Sequence, residues 1–451
     1  MDCLDRMRLL FRVAARGPAA CRDGKPLTFG QSRPFMDAAE KGPDATSLTV
    51  GAGILLALCV GVQAGELPVP QTDDYARVCD AFGTGFHYIQ GIETCLRSGG
   101  RVRIEAHYVD SLGAGDHSNN REISRFSTRA RGYVRLESRT ETDIGLVRAY
   151  VRMALTRASS GGFLDFSRDE DEDRETRPWL ERVFIQLTGA RGMFTAGHES
   201  SYFDFWGSNT FSTRVGVDDP TTEATLAAYT LGDRNGFSAS LSLEDPASAD
   251  RRRDPDNTDA RYGGLEAPDF VGNVRFEHDR GSVQAMAALR RLQGRVASGP
   301  VQDAEAQGMF GWAAGLGAEV DLPFGLNVVF QATYANGMLA YATNDPGEVG
   351  DFAADAQGDI KTNSAWSVRS GVVVSLSKRV DANLDASFTR VNDRTSGSRD
   401  YEIWGAAANL VVEPVKGLSL GPELAYTSIH PENPDGPEDI WGVMLRVQRD
   451  F

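Results

Sequence analysis

From about residue 98 to its end, the chain alternates polar and apolar residues with a period of two. Arg101-Val102-Arg103-Ile104-Glu105-Ala106-His107-Tyr108 sets the pattern, and the stretches 131–137, 147–153 and 380–388 repeat it. Successive side chains of a strand point to opposite faces, so each stretch presents one polar and one apolar face. An amphipathic helix would need a period near 3.6 instead. About sixteen such segments, most of roughly ten to thirteen residues, centre near 104, 134, 150, 184, 195, 227, 239, 274, 287, 316, 329, 371, 384, 406, 422 and 446. Ten residues rising about 3.3 Å each at about 45° tilt span roughly 23 Å, close to the apolar band of an outer membrane.

The connections sort by length. Short turns fall near 141–143, 189–191, 233–234, 280–281, 323–324, 378 and 414–417. Long loops fall at about 110–128, 157–178, 200–222, 245–269, 294–309, 336–364, 391–400 and 428–439. Short and long connections alternate strictly, which a soluble β-sandwich gives no reason for. The expected fold is therefore all-β: a closed transmembrane antiparallel β-barrel of about sixteen strands, with short periplasmic turns and long external loops. The polar loop stretches, Asp165–Arg177 and the run from Arg251 to Asp256, read as ordinary solvated loop, with a charged pore mouth as the alternative.

Composition narrows the class further. A hydrophobic content of 41% and a mean hydropathy of -0.32 over 451 residues are too polar for a helical membrane protein. A net charge of -16 speaks against a nucleic-acid partner. The six histidines are scattered, and neither a metal-like Cys/His spacing nor a P-loop, dinucleotide fingerprint or nucleophile elbow is present. The reading is a non-enzyme without cofactor or metal.

The start of the chain carries an export signal. Leu48 to Val62 is an uncharged apolar run, and Val62-Gln63-Ala64 fits the small-x-small rule for cleavage between Ala64 and Gly65. The run is short for a transmembrane helix. The expected division is an upstream extension over 1–35, a signal peptide over 36–64, a periplasmic segment over 65–98 and the barrel over 99–451. Of five cysteines, Cys3, Cys21 and Cys59 precede the cleavage site, which leaves Cys79 and Cys95. In an oxidising compartment these two are expected to form a disulfide, with a pair of buried thiols as the alternative. Closing a loop of about fifteen residues contributes roughly 3 kcal/mol in the chain-entropy model.

The chain ends on an alternating strand whose Trp441, Val443, Leu445, Val447 and Phe451 share one face. A terminal aromatic on such a strand resembles the signal by which barrel assembly machinery recognises outer-membrane proteins, which assigns that role to Phe451. The stretches Val78-Cys79-Asp80-Ala81-Phe82-Gly83, Phe86-His87-Tyr88-Ile89-Gln90-Gly91 and Glu93-Thr94-Cys95-Leu96-Arg97 closely resemble the alphaproteobacterial, rhizobial-type outer-membrane porins. Ser98-Gly99-Gly100 departs from the short bulky stretch usual there.

The resemblance implies a sixteen-stranded homotrimeric porin in the Gram-negative outer membrane. It would lie among lipid and lipopolysaccharide and pass small hydrophilic solutes and ions passively. In that architecture the third long loop, here about 200–222, narrows the pore. Its Asp204, Asp218 and Asp219 would present negative charge. Arg101, Arg103, Arg131, Arg135, Arg148 and Arg152 would face them from the first strands. Such facing charges set up a transverse field. The alternative for the arginines is pairing with Glu105 and Glu137. Tyr108, Trp179, Phe270, Trp312, Phe324, Trp366, Tyr401 and Trp441 are candidates for interfacial girdles. A substrate-selective channel of the same fold, a barrel enzyme or adhesin, and a soluble secreted β-protein stay open as alternatives. So does ion selectivity: the acidic total favours cations and the arginine wall favours anions.

Overall fold

The structure is a computed structural model that describes residues 79–89, 91–113, 125–159, 177–211, 215–232, 236–249, 251–253, 260–296, 307–344, 349–354, 360–394, 399–431 and 437–451. The expected extension, the signal peptide, Ala64 and Gly65 lie outside these residues, as does most of Asp165–Arg177.

Twenty strands follow one another: β1 (His87–Ile89), β2 (Thr94–Gly113), β3 (Phe126–Thr142), β4 (Gly145–Ala158), β5 (Arg177–Gly189), β6 (Gly192–Ser200), β7 (Glu223–Gly232), β8 (Phe237–Glu244), β9 (Ala260–Tyr262), β10 (Asp269–His278), β11 (Gly281–Val296), β12 (Gln307–Leu322), β13 (Leu326–Asn336), β14 (Phe352–Ala354), β15 (Ile360–Thr362), β16 (Ser364–Ser377), β17 (Val380–Asn392), β18 (Tyr401–Val415), β19 (Leu418–Pro431) and β20 (Glu438–Asp450). Eighteen share one sheet, and two of those, β1 and β9, are three-residue additions, which leaves sixteen wall strands. Each wall strand pairs antiparallel with the next, β8 meeting β10 and β13 meeting β16. β20 returns to β2 from Arg101↔Asp450 to Gly113↔Glu438, so the sheet is sealed. Closure matters because lipid offers no hydrogen bonds to an open edge.

The pleat sorts the residues as the alternation requires. On β2, Val102 and Ile104 are 46% and 55% exposed on the outside, while Arg103 and Glu105 between them are buried at 0% and 1%. The strand ends joined by short connections gather at one end of the cylinder, and those joined by long connections at the other. An aromatic belt runs round the outside near the long-loop end. Trp312 packs on Tyr334 at 5.1 Å, Phe388 lies between Trp366 at 5.0 Å and Trp404 at 4.4 Å, and Tyr426 meets Trp441 at 4.5 Å. Tyr401 does not join it, since it is buried against Ile403 and Val391 inside. One position along a strand decides which solvent a ring meets.

The N-terminal segment is fastened to the short-turn end. β1 pairs with the start of β2, and a disulfide joins Cys79 to Cys95. Phe86 is buried between the guanidinium groups of Arg97 and Arg139, 4.7 and 4.9 Å from its ring centre. This hairpin carries the first wall strand back to Thr94, ahead of the expected barrel start at residue 99.

The terminal residue completes the seam. Gly100 and Phe451 exchange backbone hydrogen bonds of 2.8 and 3.1 Å. The Phe451 ring lies over Gly100, where a Cβ would stand 2.6 Å from its Cζ and 2.8 Å from the Tyr133 carbonyl oxygen. The glycine that departs from the family pattern thus makes room for the closing aromatic.

Candidate functional site

Inward positions of β2, β3 and β4 carry the predicted arginines, and strand register brings them level. Arg101 stands opposite Tyr133, Arg103 opposite Arg131, and Arg135 opposite Arg152. Four guanidinium groups surround the Tyr133 ring: Arg152 at 4.8 Å from its centre, Arg103 at 5.6 Å, Arg101 at 5.8 Å and Arg131 at 5.9 Å. An aromatic face attracts cations, so the ring holds together groups that would otherwise repel.

Acidic side chains on this wall are outnumbered. Glu137 alone receives Arg97 at 2.5 Å, Arg139 at 2.7 Å and Arg148 at 2.9 Å. Glu105 receives Arg129 at 2.6 Å and Arg446 at 2.5 Å. Two carboxylates therefore serve five guanidinium groups. Arg101 pairs with Asp450 at 2.7 Å and Arg152 with Glu181. Among the described residues Arg103 donates only to the neutral Gln448, at 3.0 Å. Arg135 lies at the Gly99 end of the wall, its Nη2 3.1 Å from where a Gly99 Cβ would stand, and is exposed to water.

The third long loop turns into the lumen and is clasped by strands β16 to β20, its Val215 also packing with Val109 of β2. Arg446 donates to the Phe211 carbonyl at 3.0 Å, Arg369 to the Trp206 carbonyl at 3.0 Å, and the Gly216 amide to Thr427 at 2.7 Å. Asp385 accepts from the Ser208 hydroxyl at 2.5 Å and the Thr210 amide at 2.7 Å. Glu423 accepts from the Phe211 amide. Gly405 of β18 has no side chain because the Gly216 carbonyl presses where its Cβ would be, and Gly317 of β12 gives the Phe205 ring the same room. Glycine at these inward positions lets the loop seat against the wall.

The three loop acids differ from expectation. Asp204 pairs with Arg251 at 2.7 Å, Asp219 pairs with Arg369, and Asp218 accepts from the Thr389 hydroxyl at 2.6 Å and the Asn344 amide at 2.7 Å. None of these partners is an arginine of β2 to β4. The carboxylates anchor the loop instead of forming a bare negative rim facing that wall. Burial lifts the Asp218 carboxyl above the usual carboxylate range, against the pull of its Thr389 hydrogen bond. Burial also raises Asp204, while the Arg251 guanidinium pulls it down. Short buried polar groups bond to whatever the folded wall offers, and sequence spacing does not reveal that partner.

A second set of charges escaped the sequence reading. Arg290 of β11 makes two 2.7 Å bonds to Asp269 and one of 3.3 Å to Asp351. Tyr341 donates to Asp269 at 2.7 Å, and Tyr262 donates to Asp351. Arg251 lies 3.9 Å over the Tyr341 ring and is buried, which corrects its reading as solvated loop. This latch binds three loop segments to the wall. The available signal was an inward Arg290 and an inward Asp269 on neighbouring strands near the loop end.

Comparison with known proteins places the chain. Residues 67–442 match the family described as "Porin subfamily". Porin Omp2b of Brucella suis biovar 1 (strain 1330) is 27% identical over 420 residues, covering 90% of this chain and 99% of that protein. Porin Omp2b of Brucella abortus (strain 2308) is 27% identical with the same coverage. Among solved structures, the outer membrane channel DcaP of Acinetobacter baumannii superposes with a TM-score of 0.64 at 14% identity, covering 80% of this chain and 99% of that one.

Proposed function

The chain belongs to the porin subfamily, and from that premise we infer that it is an outer-membrane channel through which small hydrophilic solutes and ions diffuse passively. It is a transport protein and not an enzyme. The observation that carries the mechanism is the pairing of β20 with β2. It seals a cylinder whose outer face suits lipid and whose inner face is charged and polar. A solute crossing it keeps polar partners throughout, and an apolar one finds no replacement for the water structure it disrupts. Purified protein reconstituted into planar bilayers is expected to give stepwise conductance. Tight bilayers at every voltage would overturn the reading.

The finer proposals concern the waist, the assembly and the leader. The arginine wall of β2 to β4 and the inward loop define the narrow part, and the seating of that loop against β16 to β20 supports this. The functional unit is a homotrimer. Support comes from His198, which shares the outer face of β6 with the exposed Phe194 and lies 3.4 Å from Thr225. An imidazole there is better matched by another subunit than by lipid. Gel migration of unboiled protein as a single trimer-sized species tests it. Phe451 serves as the barrel-assembly signal, and residues 36–64 are removed on export. N-terminal sequencing of mature protein is expected to start at Gly65. Lipopolysaccharide surrounds the long-loop end.

A further inference from the structure

Among the described residues, three neighbouring donors on β2 have no hydrogen-bond partner: Nη1 and Nη2 of Arg103 and Nη1 of Arg101. All three are buried, and Arg103 as a whole is 0% exposed. Arg101 and Arg103 are two residues apart on one strand, so both stand on its inward face. A buried polar group left without a partner costs on the order of 1–3 kcal/mol, more when charged, so an orphaned guanidinium requires an explanation.

Cationic excess is the second observation. Around Tyr133 four guanidinium groups meet; Arg101 pairs with Asp450 and Arg152 with Glu181, while Arg103 donates to the neutral Gln448. The nearby carboxylates Glu105 and Glu137 are already shared among five other arginines. Loop acids offer no relief, because Asp204 and Asp219 are taken by Arg251 and Arg369. The net charge of -16 for the whole chain therefore does not describe this wall.

We propose that Arg101 and Arg103, with Arg131 and Arg152 beside them on the Tyr133 ring, form a binding site for a small oxyanion passing through the lumen. The proposal deepens the channel reading and rests on it. The ligand class follows from the donors. Guanidinium forks match the paired oxygens of a phosphate or a carboxylate, whereas chloride takes no advantage of that geometry. A site of this kind concentrates its ion at the waist and makes transport saturable, while the same field draws anions in and repels cations.

Inorganic phosphate is the probe. In wild-type protein, conductance carried by phosphate is expected to level off with concentration, and reversal potentials in a potassium chloride gradient are expected to show anion preference. Arg101→Gln with Arg103→Gln should weaken phosphate binding at least about tenfold, the loss of roughly one charge-assisted hydrogen bond, and shift the reversal potential toward cations. Arg103→Lys keeps the charge and loses the fork, so it should retain chloride preference while phosphate saturation moves to higher concentration. Lys378→Gln, in a tight turn, should change neither. Heat-shifted gel migration confirms that each variant is folded. Steady conductance with phosphate flux linear throughout would overturn the site and leave the channel intact. Calorimetric phosphate binding to detergent-solubilised protein, with bilayers that stay closed, would overturn the channel and leave the site. Unchanged phosphate saturation in the folded double variant would also overturn the site.

Discussion

The two sides of the lumen use arginine in opposite ways. On the β10 to β16 side three buried guanidinium groups hold carboxylates that they do not share with another arginine of the wall: Arg290 with Asp269, Arg251 with Asp204, Arg369 with Asp219. On the β2 to β4 side Glu137 is shared three ways and Glu105 two ways. A matched buried pair is electrically quiet and acts as a fastener, at a large cost if half of it is removed. An unmatched row stays a source of field in the water beside it. The same residue type is thus a fastener on one side and, on the proposed reading, a source of selectivity on the other, with stoichiometry deciding which.

Breaking the fastener gives the largest effect. Arg290→Gln leaves Asp269 and Asp351 buried without their cation, which is expected to cost about 3–5 kcal/mol. The temperature at which unboiled protein changes gel mobility should fall accordingly, and single-channel noise should rise as the loops loosen. The seam between the two sides comes next. Gly100→Val drives a side chain against the Phe451 ring and the Tyr133 carbonyl, with an expected loss of about 1–3 kcal/mol from overpacking. Its signature is lowered heat resistance with unitary conductance near wild type.

Arg148→Gln sharpens the contrast from the other side. Arg148 is partly solvated and Glu137 keeps two further arginines, so stability should change by about 1 kcal/mol or less. The reversal potential should nonetheless move toward cations. Equal destabilisation by Arg148→Gln and Arg290→Gln would remove the distinction between the two sides.

The smallest effect concerns Asp218. Burial raises its carboxyl in the folded protein, so the folded chain holds that proton more tightly than the unfolded chain. Its ionised form is a penalty that applies in full above the raised value and fades as pH falls toward the ordinary carboxylate range. Asp218→Asn should be close to neutral at low pH and relatively stabilising at neutral pH. Denaturation followed across that window checks the sign, and a variant that loses stability as pH rises through it would reverse the assignment.

Much of the architecture is legible in the sequence. The segments centred near 104, 134 and 150 became β2, β3 and β4, and the alternation of short and long connections returned as the two ends of the cylinder. The inward arginines were legible for the same reason. Asp204, Asp218 and Asp219 were legible as residues of the inward loop but not in what they touch. Arg251 was misread because a run of three arginines beside acids looks like a solvated turn, and nothing in the run announces Tyr341 or Asp204 beside it.

Alternation, even strand count and loop sorting are local properties written along the chain, and each is fixed by the pleat meeting two solvents. They determined the barrel and which face of each strand is wet. Pairing between charges is different. Asp219 meets Arg369 and Glu105 meets Arg446 across separations of 150 and 341 residues. Only closure of the sheet and the infolding of the loop bring such groups within bonding distance. Which of these charges are matched and which stay in excess is therefore decided by the tertiary structure alone.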